Sequence, residues 1–328
     1  MERRTLGRTG VEVAALGFGC GAVGGLMVKG SAADQERGVA RALEMGINYF
    51  DTAPVYGNGE SEKNLGRVLR SLKPNVVVGT KFRIDPGDLG RVAPAVTASL
   101  EASLGRLGLE RVDLLQLHNR ISTDTEDRPI AADVVLNDVV PALERLRAQG
   151  KIRFFGITAL GDTPALHRVI DARVLDTAQV CFNLLNPSAS LPLPPGSTAQ
   201  DFGRLLARTR AAGMGTIGIR VLAGGALSGV TARHPHGIPS VEPIASGADY
   251  DADVAHARRL EALVREGHAD SLVEAGIRFA LTDPGMSTVL VGYSTLDHLE
   301  YAAKAAEKGP LPRPALDRLA ALWRGDRA

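Results

Sequence analysis

Short apolar runs alternate with longer helical stretches along the chain, and this alternation limits the fold more than any other feature. The runs are rich in Val, Ile, Leu and Phe without strict polar alternation, as expected for parallel strands that are covered on both faces. They lie at 15–19, 48–52, 76–82, 112–118, 154–158, 178–183, 216–222 and 288–292. The chain therefore contains about eight strand–helix units.

The intervening stretches have helical periodicity. Two apolar stripes are formed by Val92, Val96, Leu100, Leu104 and Leu107, and by Val135, Val139, Leu143 and Leu146. Glycines at 108, 150 and 213 can take the left-handed conformation that ends a helix. The alternating "RRTLGRTGVEV" at the start predicts a β-hairpin.

Eight such units in 328 residues predict an α/β fold, a (β/α)8 TIM barrel with an N-terminal β-hairpin and long loops at its C-terminal face. We expect residues 1–328 to form a single domain. A doubly wound sheet is the main alternative, but no strand here runs into a G-x-G-x-x-G that opens a helix. The glycine-rich "GFGCGAVGG" is followed by a loop instead.

Charge and composition narrow the classes of partner. The net charge is +1 and there are no basic blocks, so we expect neither a nucleic-acid nor a membrane partner. Cys20 and Cys181 both lie in apolar runs and predict a reduced protein. The apolar stretch near the N-terminus is interrupted by Glu12 and several glycines, which argues against a signal peptide. We therefore expect a soluble, cytoplasmic protein.

Ionisable side chains follow three consecutive predicted strands. Asp51, Lys81 and His118 lie at or next to the strand ends, and Tyr56 follows Asp51 in a loop rich in Pro and Gly. Taken singly, such a lysine is usually a solvated charge and such a histidine is usually structural. Because barrels of this kind hold their chemistry at the C-terminal ends of the strands, their joint occurrence predicts an active site.

The four residue types make chemical sense together. A tyrosine phenol is a weak acid, but a neighbouring ammonium favours its ionised form, and a carboxylate keeps that ammonium charged and in place. An imidazole can orient a carbonyl group and stabilise charge that develops on its oxygen. The set therefore predicts a proton-donating pocket for carbonyl reduction, or for alcohol oxidation in reverse. None of these groups can supply a hydride, which implies a nicotinamide cofactor.

At this point the sequence resembles the aldo-keto reductase superfamily along essentially its whole length. The motifs are "LGRTGVEVAALGFG", "GINYFDTAPVYGNGESEKNLG", "VVVGTKF" and "VDLLQLHN", in that order. The resemblance implies that the family's catalytic Asp, Tyr, Lys and His are Asp51, Tyr56, Lys81 and His118. It also implies a cofactor that lies extended across the rim of the barrel, and a Tyr56 that is exposed because it is the general acid.

The resemblance implies a set of cofactor contacts as well. The residues at the matching positions are Gly19, Cys20, Asp51, Thr158, Gln179, Ile219, Arg220, Leu222, Gly224, Gly292, Ser294, Thr295 and His298. Several of them depart from the family pattern. Ala159 replaces an Asn that holds the nicotinamide carboxamide, Ile219 replaces a stacking aromatic, His298 replaces an Arg or Gln, and Ala302 replaces an Asn. Arg220 could contact the pyrophosphate of the cofactor or could be a surface charge.

Cofactor and substrate are therefore predicted only by class. We expect NADP(H) to be preferred, with NAD(H) as the alternative, and a small carbonyl or alcohol as substrate. The loops at 119–133, 183–198 and 222–250 would shape its pocket. Asp124, Glu126, Asp127 and Arg128 form a solvated charge cluster in the first loop, and "HPH" at 234–236 offers too few ligands to predict a metal.

Two other functions stay open. The same fold could oxidise a sugar lactol with NAD or NADP, using the tetrad in reverse. It could instead be a cofactor-binding regulatory subunit with slow redox activity, like the potassium-channel β subunits that resemble the same superfamily. The sequence does not predict an oligomeric state.

Overall fold

A closed barrel of eight parallel strands forms the centre of the computed structural model, which describes residues 1–123 and 130–325. Each predicted strand is confirmed, with ends that differ by at most three residues. The strands are β3 (Leu16–Gly19), β4 (Tyr49–Asp51), β5 (Val77–Phe82), β6 (Val112–Leu117), β7 (Ile152–Thr158), β8 (Thr177–Cys181), β9 (Gly215–Ile219) and β10 (Met286–Gly292). They pair in chain order, and β10 closes on β3, so the doubly wound alternative is excluded.

Helices surround the barrel. They are α1 (Leu26–Lys29), α2 (Ala32–Glu44), α3 (Glu60–Leu72), α4 (Val92–Leu107), α5 (Ala132–Val134), α6 (Val140–Ala148), α7 (Thr163–Asp171), α8 (Leu205–Ala211), α9 (Tyr250–Arg259), α10 (Ala262–Arg265), α11 (Leu272–Ala280), α12 (Leu296–Glu307) and α13 (Arg313–Trp323). A π-helical turn, Val135–Val139, joins α5 to α6. Both predicted apolar stripes are buried, and Gly108 ends α4 in the left-handed conformation.

The N-terminal hairpin closes one end of the barrel. Its strands, β1 (Arg3–Thr5) and β2 (Glu12–Ala14), are antiparallel as predicted. Leu6 and Val13 are fully buried and pack with residues inside the barrel, among them Val77, Leu114 and Ile217. This end of the interior is therefore apolar and filled.

Long loops lie at the opposite end, where the strands have their C-termini. The stretches after β8 and β9, and the described residues after β6, are mostly irregular, and the stretch after β9 contains a 3-10 segment, Ala223–Ser228. The charge cluster predicted at 124–128 lies outside the described residues. Among the helices that the structure describes, none is long and apolar enough to cross a membrane. Cys20 and Cys181 are buried, free thiols.

A buried glutamate fixes α3 against the barrel. Glu62 accepts hydrogen bonds of 2.6 Å from Thr80 Oγ1 on β5 and from Arg106 Nε on α4. Ser61, beside it, donates to Cys20 O and lies 2.8 Å from Thr52 Oγ1. Because α3 begins directly after the loop that contains Tyr56, these bonds set the position of that loop relative to β4 and β5.

We expect Arg106→Ala to lower the free energy of unfolding by about 3 kcal/mol, because it leaves the Glu62 carboxylate buried without its counter-ion. Arg37→Ala is the control, since Arg37 and Asp34 form an exposed pair that contributes at most about 1 kcal/mol. Urea-unfolding midpoints of the two variants measure the difference. Equal losses in both would contradict the role given to Glu62.

Candidate active site

A buried ion pair joins Asp51, the last residue of β4, to Lys81 on β5. The Lys81 side chain is only 2% exposed. Its ammonium also donates to Thr52 O at 2.9 Å and to Tyr56 Oη at 3.1 Å. Burial favours the neutral amine, but the charge of Asp51 and the contact with Tyr56 outweigh it and raise the pKa of Lys81 to about 12. Lys81 is therefore an ammonium throughout the physiological range.

Two further donors fix the Asp51 carboxylate. Tyr49 Oη and Gln179 Nε2 donate to Asp51 Oδ2 at 2.8 Å and 2.7 Å. Burial and the charge of Asp51 hold the pKa of the Tyr49 hydroxyl well above its usual value, so it stays a donor. Tyr49 was not among the residues predicted from the sequence. Strand periodicity could have found it, because residues two apart on a strand face the same side.

Tyr56 lies in a tight loop over this ion pair. The loop turns at Gly57, Asn58 and Gly59, which all have positive φ. The Tyr56 side chain is partly buried, not exposed as the resemblance implied. The reason is that Lys81 Nζ lies 4.8 Å from its ring centroid and the backbone at Gly21 lies against the ring, where a Cβ would be 3.6 Å away.

His118 completes the group directly after β6. Its ring centroid lies 6.2 Å from that of Tyr56, with the two planes at 86°. Burial, followed by the charges of Lys81 and Arg83, lowers the pKa of His118 to about 2. His118 is therefore a neutral imidazole, with one ring N–H that can donate and one ring nitrogen that can accept. All four predicted catalytic residues lie together at the C-terminal end of the barrel.

Thr158 and Gln179 lie beneath the ion pair and are almost fully buried. Thr158 Oγ1 donates to Gln179 Oε1 at 3.1 Å, and Gln179 Nε2 holds Asp51. Both side chains are therefore part of the network that orients the acid–base residues. Ala159 is fully buried and offers no side-chain polar atom.

Arg220 follows β9 in a left-handed conformation, with φ of 54°. Asn183 Nδ2 donates to its carbonyl oxygen at 2.9 Å, and its own Nη1 donates to Glu242 O at 3.1 Å. Its side chain is partly buried, and burial lowers the pKa of its guanidinium. Gly224 follows with φ of 69°, where a Cβ would come within 2.6 Å of Val241. Ile219 and Leu222 are partly exposed beside them.

The segment after β10 contains the other predicted cofactor residues. Gly292 is exposed at the rim. Ser294 Oγ donates to Gly24 O at 2.7 Å, and Thr295 caps α12 by accepting from His298 N at 3.3 Å. Both hydroxyls are thus engaged within the protein. Gly19 and Cys20 lie at the end of β3, and Cys20 is buried.

Two histidines that sequence analysis did not place here lie beside this segment. The His236 ring is 3.0 Å from Ser294 O, and the His234 ring centroid is 4.7 Å from that of His236 and 6.2 Å from that of His298. No sequence signal indicated that this loop returns to α12, because the contact spans about sixty residues. Within residues 1–123 and 130–325, no group of three His, Cys, Asp or Glu side chains is arranged to hold a metal.

Comparison with known proteins agrees with this geometry. A model of the Aldo/keto reductase family matches residues 15–324. L-galactose dehydrogenase of Arabidopsis thaliana is 31% identical over 308 residues, covering 92% of this chain and 86% of that protein. D-threo-aldose 1-dehydrogenase of a Pseudomonas species is 35% identical over 215 residues, covering 56% and 62%.

A solved structure has the same fold. Aldo-keto reductase AKR11C1 from Bacillus halodurans, in its holo form, matches with a TM-score of 0.72 at 22% identity, covering 98% of this chain and 96% of that one. The chain belongs to the aldo-keto reductase family. It is therefore an oxidoreductase, of a family that uses nicotinamide cofactors.

The low pKa of His118 leads to a prediction about pH. We expect no inflection from His118 in kcat/KM between about pH 5 and 8, where an ordinary histidine would titrate. His118→Gln, which keeps a neutral N–H donor, should show a profile of the same shape. An acidic limb that is present in the wild type and lost in His118→Gln would contradict a neutral His118.

The low pKa of His118 also affects the stability of the fold, in the direction opposite to that of a histidine paired with a carboxylate. Below pH 6.5 the unfolded state binds a proton at His118 and the folded state does not, so His118 increasingly destabilises the fold as the pH falls.

Proposed function

We propose that this protein reduces an aldehyde or ketone to an alcohol, with NADPH as the preferred hydride source and NADH as the alternative. The observation that supports this most directly is the contact of 3.1 Å between the Lys81 ammonium and the Tyr56 hydroxyl. Lys81 donates in this contact, so the Tyr56 proton is free to point towards a substrate.

The side chains at the rim suit a nicotinamide dinucleotide. Ile219 offers a partly exposed apolar surface, and Arg220 places a cation next to it. The N-terminus of α12 adds the positive end of a helix dipole, which favours phosphate. Gly292 is exposed at the end of β10, so its backbone is open to a ligand. When bound, the nicotinamide would supply the hydride that none of the side chains can supply.

The proposed cofactor contacts follow these elements. From β3, β4, β7 and β8 and the residues directly after them they are Gly19, Cys20, Asp51, Thr158 and Gln179. The loop after β9 adds Ile219, Arg220, Leu222 and Gly224, and the segment after β10 adds Gly292, Ser294, Thr295 and His298. Because the hydroxyls of Ser294 and Thr295 bond within the protein, we expect this last segment to act mainly through its backbone.

Tyr56 would act as the general acid. Its hydroxyl would donate a proton to the carbonyl oxygen as the alcohol forms, and the adjacent Lys81 ammonium would stabilise the phenolate that remains. Asp51 would keep the ammonium charged and fixed, because burial alone favours the neutral amine. In the reverse direction the phenolate would accept the proton of an alcohol.

His118 would orient the carbonyl group. As a neutral imidazole it has one N–H to donate, and a preorganised donor at that position stabilises the negative charge that develops on the oxygen. An imidazolium would add a second cation beside Lys81, which the buried site disfavours. Proton donation is therefore assigned to Tyr56 and positioning to His118.

A second direction of reaction is favoured by the relatives. The names L-galactose dehydrogenase and D-threo-aldose 1-dehydrogenase describe oxidation of aldoses in those proteins. The same tetrad, with oxidised cofactor, could oxidise an aldose here. The complete tetrad argues against a purely regulatory subunit, and the two free, buried cysteines support a reducing, cytoplasmic location.

We expect Tyr56→Phe to lower kcat by about a hundredfold or more, because it removes the general acid and little else. Binding of NADPH, followed by nicotinamide fluorescence, should be unchanged. Tyr301→Phe is the matched control, since that hydroxyl is exposed and contacts only Ser271 among the described residues. If Tyr56→Phe turns over as the wild type does, the assignment fails.

A further inference from the structure

Two arginines follow the catalytic residues of adjacent strands. Arg83 lies two residues after Lys81, and Arg120 lies two residues after His118. Side chains two residues apart on an extended chain point to the same side and are separated by about 7 Å. If the chain stays extended past the strand ends, both guanidinium groups lie on the pocket side, above the acid–base residues.

Backbone pairing of the two strands ends with one further hydrogen bond, and beyond it the side chain of Asn119 takes the place of the partner backbone. His118 N donates to Phe82 O at 2.8 Å. Asn119 Oδ1 then accepts from Ile84 N at 2.8 Å, and Asn119 Nδ2 donates to Ile84 O at 2.9 Å. Ile84 is buried in the layer between barrel and helices, with Phe82 and Leu117. Phe82 and Ile84 lie in this outer layer on either side of Arg83, and Ile121 lies in it next to Arg120, so alternation along each extended segment assigns both arginines to the inner side.

The charges of both arginines reach the site. Arg83 contributes to the low pKa of His118. At the end of β8, burial raises the pKa of Cys181, and the charge of Arg120 acts in the opposite direction. Both side chains are exposed. In the described residues, which do not include 124–129, neither guanidinium pairs with a carboxylate. By contrast, Arg153 at the other end of the barrel is paired with Asp113.

We propose that Arg83 and Arg120 bind an anionic group, a phosphate or a carboxylate, that the substrate carries a few atoms from its reacting carbon. This inference rests on the proposed function, because it takes Tyr56 and His118 as the place where the carbonyl lies. Guanidinium groups form two parallel hydrogen bonds with phosphate and carboxylate, and at about 7 Å from the acid–base residues they would hold the far end of a short chain. The substrate class is an anionic short-chain aldehyde, or the corresponding alcohol.

Binding of matched ligands tests this. Isothermal titration of the protein saturated with NADP⁺ compares glycerol 3-phosphate with glycerol, and 4-hydroxybutyrate with 1-butanol. The first pair reports on phosphate and the second on carboxylate. We expect the anion of at least one pair to bind about ten- to a hundredfold more tightly than its neutral partner. Arg83→Gln and Arg120→Gln should each remove most of that difference and leave binding of the neutral ligand unchanged.

Arg111→Gln is the control, because Arg111 is an exposed arginine at the opposite end of β6. It should keep the full preference for the anion. The proposal is overturned if neither anion binds better than its neutral partner, or if the preference survives in both Arg83→Gln and Arg120→Gln. Unchanged melting temperatures of the variants would show that a loss of binding is not a loss of folding.

Turnover separates this inference from the proposed function. If the protein reduces neutral aldehydes such as butanal but shows no preference for anions, the proposed function stands and the arginine site fails. If glycerol 3-phosphate or 4-hydroxybutyrate binds through the two arginines but no aldehyde is reduced with either cofactor, the arginine site stands and the proposed function fails.

Discussion

The buried ion pair between Asp51 and Lys81 is the interaction on which the site depends. Two charges inside a protein are tolerated only when their remaining hydrogen-bonding capacity is met. Here the Asp51 carboxylate accepts from Tyr49 and Gln179, and the Lys81 ammonium donates to the carbonyl of Thr52. One polar centre therefore fixes residues from β4, β5 and β8. Among the described residues, the one further hydrogen bond of the ammonium is to the hydroxyl of Tyr56. The chemical reactivity of that hydroxyl therefore follows from how the charge of Lys81 is satisfied.

One end of the barrel contributes to folding, and the other end holds the residues of the proposed function. The N-terminal hairpin fills one end with apolar side chains, and the polar network occupies the other. Asp51, Lys81 and His118 lie on strands or directly after one, and Glu62 fixes α3 beside the loop that contains Tyr56. The predicted cofactor residues lie at the strand ends and on the segments that follow them, and loops form the predicted substrate pocket. Positions at this rim can change without disturbing the barrel, which is consistent with an intact tetrad beside altered positions such as Ala159 and Ile219.

The strands, the hairpin and the four catalytic residues could be predicted from the sequence, because apolar periodicity and strand ends are local signals. Tyr56 shows the limit: its position was predicted, but its burial depends on Lys81 and on the backbone of Gly21, which are distant in the chain. Gln179 was predicted to face the cofactor, and its hydrogen bond to Asp51 connects residues 128 positions apart. The approach of His234 to His298 is likewise a property of loop packing. Such contacts have no period or spacing that a single sequence displays.

The most direct test of the account is a titration of the purified protein with NADPH and, separately, with NADH, following nicotinamide fluorescence. If the C-terminal end of the barrel is a working hydride-transfer site, both cofactors bind and NADPH binds more tightly. Tighter binding of NADH would reverse the cofactor preference and favour aldose oxidation as the direction of reaction. Binding of neither would contradict the central claim, because the tetrad without a hydride source cannot reduce a carbonyl group.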